Sequence, residues 1–259
     1  MQETYYVKTS VGRFRVEKTE THLKVGGKRF CVEILFGDPA ELQWLITKDG
    51  GCELDDIPIR GSSTLHMLYL SFTLLKLYKD VKTIKFLDNS KFDCFLDNGS
   101  KITIFMNKYY YLFYGGTWYD INTGAVPIDS SQRALYNETK SLYSDPSIKK
   151  PFNFSNPSLQ KELSPIYEEA STWKEFADTL HEKYNKDILC RKIAPWYLSA
   201  VAELTQNRML PEYWIIDISS IEPIPFTRIL FQTGGKMRKR KYFKNNTIYT
   251  LSPAELYDA

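Results

Sequence analysis

The chain contains no closely spaced cysteines. Its four, Cys31, Cys52, Cys94 and Cys190, form no CxxC pair, and three histidines supply no metal-ligand spacing. The sequence therefore predicts no metal site and four free, buried thiols in a reducing compartment. No run of uncharged apolar residues approaches the length that spans a bilayer, so no membrane role is expected. The opening MQETYYVKTS lacks the basic-then-apolar order of a secretory leader, which argues against secretion. There is no Walker loop, no kinase lysine motif, no Gly-x-Ser-x-Gly elbow and no internal repeat. Charge of one sign is scarce too: the net value is +3, too small to point to nucleic acid by its total.

Aromatic residues are plentiful: 18 Tyr, 15 Phe and 5 Trp among 259 residues. That length buries a sizeable core, in one large domain or two small ones. Residues 4–36 read as short β-prone runs, with Tyr5, Val7, Val11, Phe14 and Val16 at strand positions. Gly26-Gly27 marks a hairpin turn. A further strand is expected over Leu42–Thr47, completing an antiparallel meander.

From Arg60 the pattern changes to a small polar turn, a long apolar helix and a strand. Leu65, Leu68, Phe72, Leu75 and Tyr78 recur at helical steps, so a helix is predicted over Thr64–Lys79, capped by Ser62, Ser63 or Thr64. Val81–Leu87 follows as a strand, which completes βαβ order. Lys101–Met106 reads as a strand or the lead-in to a helix. Five aromatics in Lys108–Tyr114 read as core rather than as a base-stacking platform. Residues 123–157, with Pro127, Pro146, Pro151 and Pro157 among polar residues, read as a loop-rich connection. Helices resume near Ser158. Ser171 is expected to cap a helix carrying Trp173, Phe176, Leu180 and Tyr184, and another runs from about Pro195 to Asn207. Tyr213–Ile218 reads as a buried strand. Trp173, Trp196 and Trp214 are assigned to the core.

The pieces R-G-S-S-T-L from Arg60, V-K-T-I-K-F-L-D-N-S from Val81 and Y-Y-Y-L-F-Y-G-G-T-W-Y-D from Tyr109 resemble the GNAT-like (Gcn5-related N-acetyltransferase) proteins of nucleocytoplasmic large DNA viruses. The ending G-G-K-M-R-K-R-K is similar to giant-virus tails. The resemblance covers about a quarter of the chain plus that tail. It implies an α/β fold: a mixed sheet with N-terminal antiparallel strands, a splayed parallel pair and a helical C-terminal extension. The implied division is a core over 1–126, the loop-rich connection over 127–157, the extension over 158–225 and a basic tail over 226–259.

The resemblance also implies acetyl-CoA as cofactor. Backbone N–H groups of Gly61, Ser62, Ser63 and Thr64 would cradle the pyrophosphate, and Arg60 would add charge. An anion at a helix N-terminus is physically favoured in any family. Ser63 stands where the family has its second small position. Tyr119 falls where the family often has the tyrosine that protonates the departing thiolate, and Glu53 or Asp55 would be the base. The implied activity is N-acetyl transfer to an amine. The alternative is a non-enzymatic viral structural or host-interaction protein that keeps the fold. Either implies a viral or host protein partner and residence in host cytoplasm, nucleus or virion.

Lys236, Arg238, Lys239, Arg240 and Lys241 form a basic stretch that fits a solvated tail, a nuclear-localisation segment or a salt-sensitive nucleic-acid contact. The apolar residues after it, Tyr242, Phe243, Ile248, Tyr249 and Leu251, point to docking of the end. Ser62 or Ser63 with His66 and Asp88 forms a chance triad, for which a capping serine and an ordinary helical histidine is the simpler reading. Asp55-Asp56 and Asp88 read as exposed strand ends rather than paired carboxylates.

Overall fold

The structure, a computed structural model, describes residues 2–46, 52, 61–96, 99–229, 240–244 and 247–251. The chain divides into two compact units, one of residues 1–86 with 217–259 and one of residues 87–216. Strands and helices mix throughout, so the α/β class holds, although the units cut across the boundaries drawn from composition.

The first unit begins with β1 (Glu3–Thr9), β2 (Gly12–Lys18), β3 (His22–Gly26), β4 (Phe30–Leu35) and β5 (Ala40–Leu45), an antiparallel meander. Period-two alternation fixes its register. Tyr5 and Val7, Phe14 and Val16, and Leu23 and Val25 are fully buried while their neighbours are more open. Helix α1 (Gly61–Tyr78) packs on β3 and β4, with Leu68, Leu70, Phe72, Leu74 and Leu75 fully buried. Each such side chain contributes about 1.5–3 kcal/mol. Its buried hydroxyls are satisfied within the helix: Ser71 Oγ donates to the Met67 carbonyl at 2.8 Å and Thr73 Oγ1 to Tyr69 at 2.9 Å.

Strand β6 (Thr83–Leu87) then runs parallel to β5, completing the βαβ order. The chain returns to this unit after residue 216, where Lys76 Nζ holds the carbonyls of Ile218 and Ile221 at 3.1 and 2.7 Å.

The second unit opens with an antiparallel hairpin, β7 (Lys91–Phe95) and β8 (Lys101–Phe105). Strand β8 passes directly into α2 (Met106–Tyr114), so the strand and the lead-in to a helix are both present. A short helix α3 (Trp118–Thr123), a two-residue strand β9 (Val126–Pro127) and helix α4 (Ser130–Leu142) follow. Helix α4 corrects the loop expected over residues 127–157. Its sequence is polar, with only Tyr136 and Thr139 buried, and Asp129 caps it by accepting from Gln132 N–H.

Helices α5 (Pro157–Glu169), α6 (Trp173–Lys183), α7 (Lys186–Ile193) and α8 (Tyr197–Leu204) complete the unit with strand β10 (Tyr213–Asp217), which pairs antiparallel to β9. The cap of α6 is Thr172, not Ser171. Thr172 Oγ1 accepts from Glu175 N–H at 3.2 Å while Glu175 Oε2 accepts from the N–H of Ser171, the residue before the cap, at 2.6 Å. Phe152, Phe154, Tyr167, Trp173, Phe176 and Trp196 form a core of mostly edge-to-face rings. Trp214 is buried against Tyr136, so the three tryptophans are core as expected.

Back in the first unit, β11 (Thr227–Ile229) pairs antiparallel with β1. The unit's sheet order is β11-β1-β2-β3-β4-β5-β6. Strands β12 (Arg240–Lys244) and β13 (Thr247–Leu251) form an antiparallel hairpin within the stretch read as a basic tail. The β-prone residues after the lysines account for it.

The cysteines correct the expectation of free thiols. Cys31 is bonded to Cys52 and Cys94 to Cys190, across sequence separations of 21 and 96 that no spacing rule reveals.

Candidate functional site

The crossover from β5 through α1 to β6 is the part of the first unit that corresponds to the expected cofactor site. The parallel pairing of β5 and β6 consists of Ala40↔Ile84 and Glu41↔Lys85. Both pairs lie at the beginnings of the strands. Beyond them β5 continues to Leu45 beside β4 while its ladder to β6 ends, so the two strands part towards their carboxyl ends.

A register shift between Glu33 and Ile34 of β4 leaves Gln43 of β5 as the extra residue of a bulge. Bulges bend a strand and leave a backbone group outside the ladder. Gln43 is exposed and its Nε2 donates to Glu41 Oε1 at 2.6 Å, while Glu41 Oε2 lies 3.3 Å from Lys85 Nζ. One acidic, one basic and one amide side chain thus meet where the strands part.

Helix α1 begins at Gly61, three residues before the expected Thr64, so Ser62, Ser63 and Thr64 lie within its first turn instead of capping it, and that turn carries no acidic residue. With no acidic side chain in that turn, its N–H groups and dipole suit an anion such as a pyrophosphate. Thr64 is buried in that first turn. Glu53, Asp55, Asp56 and Arg60 lie outside the described residues, as do the side chains of Gly61, Ser62 and Ser63.

His66, four residues after Ser62, has its Nε2 2.9 Å from Thr9 Oγ1 and its ring stacked on Phe14. Burial pushes its pKa down. It is a satisfied helical histidine, while Asp88 belongs to the other unit with its own partners.

Tyr119 lies in α3 of the second unit, about 5% exposed. Burial pushes its hydroxyl pKa up, the neighbouring Asp88 carboxylate adds to the rise, and a hydrogen bond with Ser90 opposes it. Asp88, read as an exposed strand end, is equally buried, because the alternation of β6, with Ile84 and Phe86 inward and Leu87 outward, continues through it. Its Oδ1 accepts from Ser90 N–H at 3.3 Å, and desolvation holds its pKa above the ordinary carboxylate range.

The residues around Tyr119 are structural. Gly115 ends α2 in the left-handed conformation at φ 71°, and a Cβ there would stand 2.5 Å from the Tyr143 ring. At Gly116 a Cβ would meet Asp120 Oδ2 at 2.8 Å. Thr117 caps α3 through Asp120 N–H, and its own N–H donates to Tyr136 Oη at 2.8 Å. Tyr136 Oη in turn donates to Asp120 Oδ2 at 2.9 Å, which also accepts from Lys140 Nζ at 2.6 Å. The Gly-Gly-Thr-Trp-Tyr-Asp segment thus forms a tight junction of α2, α3 and α4.

Of the basic stretch, Lys236, Arg238 and Lys239 lie outside the described residues, whereas Arg240 and Lys241 stand in β12 opposite Leu251 and Thr250. Among the described residues no group of three His, Cys, Asp or Glu is placed to hold a metal ion, and no helix is long and apolar enough to cross a membrane. Comparison with protein-family models, with curated proteins and with solved structures finds no match to the chain.

Proposed function

We propose that the first unit binds an acyl-CoA in a GNAT-like manner, with N-acetyl transfer to an amine as the associated activity. The observation that carries this reading is the pairing of β5 and β6 at their beginnings alone, with α1 between them in sequence. Two parallel strands whose ladder ends early leave room at their carboxyl ends, and α1, the helix between them in sequence, has unpaired N–H groups in its first turn. In this reading the backbone of Gly61, Ser62, Ser63 and Thr64 holds the pyrophosphate and Arg60 adds a charge. When bound, the cofactor supplies a thioester. Glu53 or Asp55 would take the proton of the attacking amine, while the motif assigns the acid role to Tyr119, a residue of the second unit.

A second reading, a GNAT-like protein without transferase activity that serves a viral or host partner, is favoured by Tyr119 itself. Its side chain is buried among core residues with the hydroxyl engaged by Ser90, which suits packing better than proton delivery. The basic stretch over Lys236–Lys241 remains the element through which either protein would touch nucleic acid.

Titration calorimetry with acetyl-CoA tests the binding. We expect saturable heat from the intact chain and at least about a tenfold loss of affinity in Ser63→Asp, because a carboxylate would face the pyrophosphate. An acidic residue in the first turn suits the helix dipole, so the fold is kept. A folded protein that gives no heat at millimolar acetyl-CoA refutes the proposal. If acetyl transfer to an amine is then detected, its persistence in Tyr119→Phe would remove that residue from the mechanism and its loss with binding intact would place it there.

A further inference from the structure

The second unit contains a cleft of about 530 Å³, within the range of small-ligand pockets. One wall is α8, through Leu198, Val201 and Ala202. Another is the start of α2, through Phe105 and Lys108, and Asp88 lies at its inner side. Helix α8 stops because Gln206 and Asn207 adopt left-handed conformations at φ 53° and 61°. That reversal turns residues 207–212 back to close the remaining side.

Two features distinguish this cleft from an ordinary surface fold. Leu87, Phe105, Leu198 and Met209, large apolar side chains left exposed, all line it, and Met209 is 83% exposed. Apolar area gathered round one concavity marks a place where apolar matter binds.

The second feature is charge. Arg208 is neutralised by Glu138 at 3.3 Å, whereas Lys108 has no ion-pair partner among the described residues and its Nζ lies 5.1 Å from the Phe105 ring centroid. The cleft therefore offers one cation without an ion pair against an apolar wall. Its other charged groups are Asp88 and Glu212. Neither acid stands within ion-pair distance of Lys108, and both weigh more against a phosphate dianion than against a singly charged head group at that lysine.

We propose that this cleft binds an unbranched medium-chain carboxylate, its chain against Leu198, Val201 and Met209 and its head group at Lys108. The site is separate from the acyl-CoA reading and does not depend on it. It is tested by calorimetry of the intact chain with decanoate, kept below its micelle concentration, beside decanol and decylamine.

The expected result is one saturable decanoate site. Lys108→Glu should weaken it by about tenfold, since the head group then meets a like charge. Met209→Asp should weaken it as well, and its exposed position leaves the fold intact, as circular dichroism will check for both variants. Non-saturating heat, decanoate binding unchanged in Lys108→Glu, or decylamine binding more tightly than decanoate would each overturn the proposal.

Discussion

Asp88 shows how one buried carboxyl shapes the behaviour of its surroundings. It is held by the Ser90 N–H and lies beside Tyr119, and desolvation raises its pKa above the ordinary 3.8. A carboxyl that is a weaker acid in the fold than in the unfolded chain keeps its proton longer in the fold. Its neutral form therefore favours folding at low pH, and that contribution is lost as pH rises from about 3.9 through the raised folded value. Asp88→Asn keeps an oxygen for Ser90 but has no proton to lose. Urea midpoints of the two proteins should converge near pH 4 and separate as pH rises, with the asparagine variant the more stable at pH 7. A gap independent of pH would show that ionisation of Asp88 does not strain the fold.

At the scale of elements, α4 depends on one polar contact as much as on apolar area. Tyr136 joins it to the Thr117 N–H and to Asp120 of α3, and Lys140, one turn further on, completes the shell of that carboxylate. Tyr136→Phe keeps the ring against Trp214 and removes only the hydroxyl. The Thr117 N–H, fully buried, is then left without its acceptor, so a loss of about 1–3 kcal/mol is expected in urea unfolding. A loss below about 0.5 kcal/mol would mean that water or another group replaces the hydroxyl.

The same elements show what the residues announce in advance. Helix α1 was legible because its apolar residues recur at helical spacing, and the meander because its runs alternate and end at glycines. Helix α4 was not, since a narrow seam of Tyr136 and Thr139 in a polar segment looks like loop. The β7–β8 hairpin carries its own signal in the sequence, since Asn98-Gly99 between two β-prone runs is a strong turn dipeptide, and Gly99 has φ 78°. The bulge at Gln43 and the parting of β5 from β6 had none, because both arise from pairing between distant segments. Tyr119 was read by position in a motif, whereas its burial follows from the junction built by Gly115, Gly116 and Tyr136, each chosen for contact rather than chemistry.

At the scale of the whole molecule, each compact unit carries one covalent cross-link. Cys31–Cys52 joins residues 21 apart in the first unit and Cys94–Cys190 residues 96 apart in the second, tying β7 to α7. Cross-linking removes freedom chiefly from the unfolded chain, and more for a longer loop. The chain-entropy estimate is about 3 kcal/mol for the first and about 4–5 kcal/mol for the second. Cys94→Ser should therefore destabilise residues 87–216 more than Cys31→Ser destabilises residues 1–86. Hydrogen exchange read peptide by peptide resolves the two units in the intact chain, where a single melting temperature would mix them. Each substitution should speed exchange mainly in its own unit, and reduction of the native protein should speed it in both. The air-oxidised protein should give no free thiol when denatured without reductant. Four titratable thiols in that experiment, or exchange unaffected by either substitution, would show that the cysteines pack side by side without bonding.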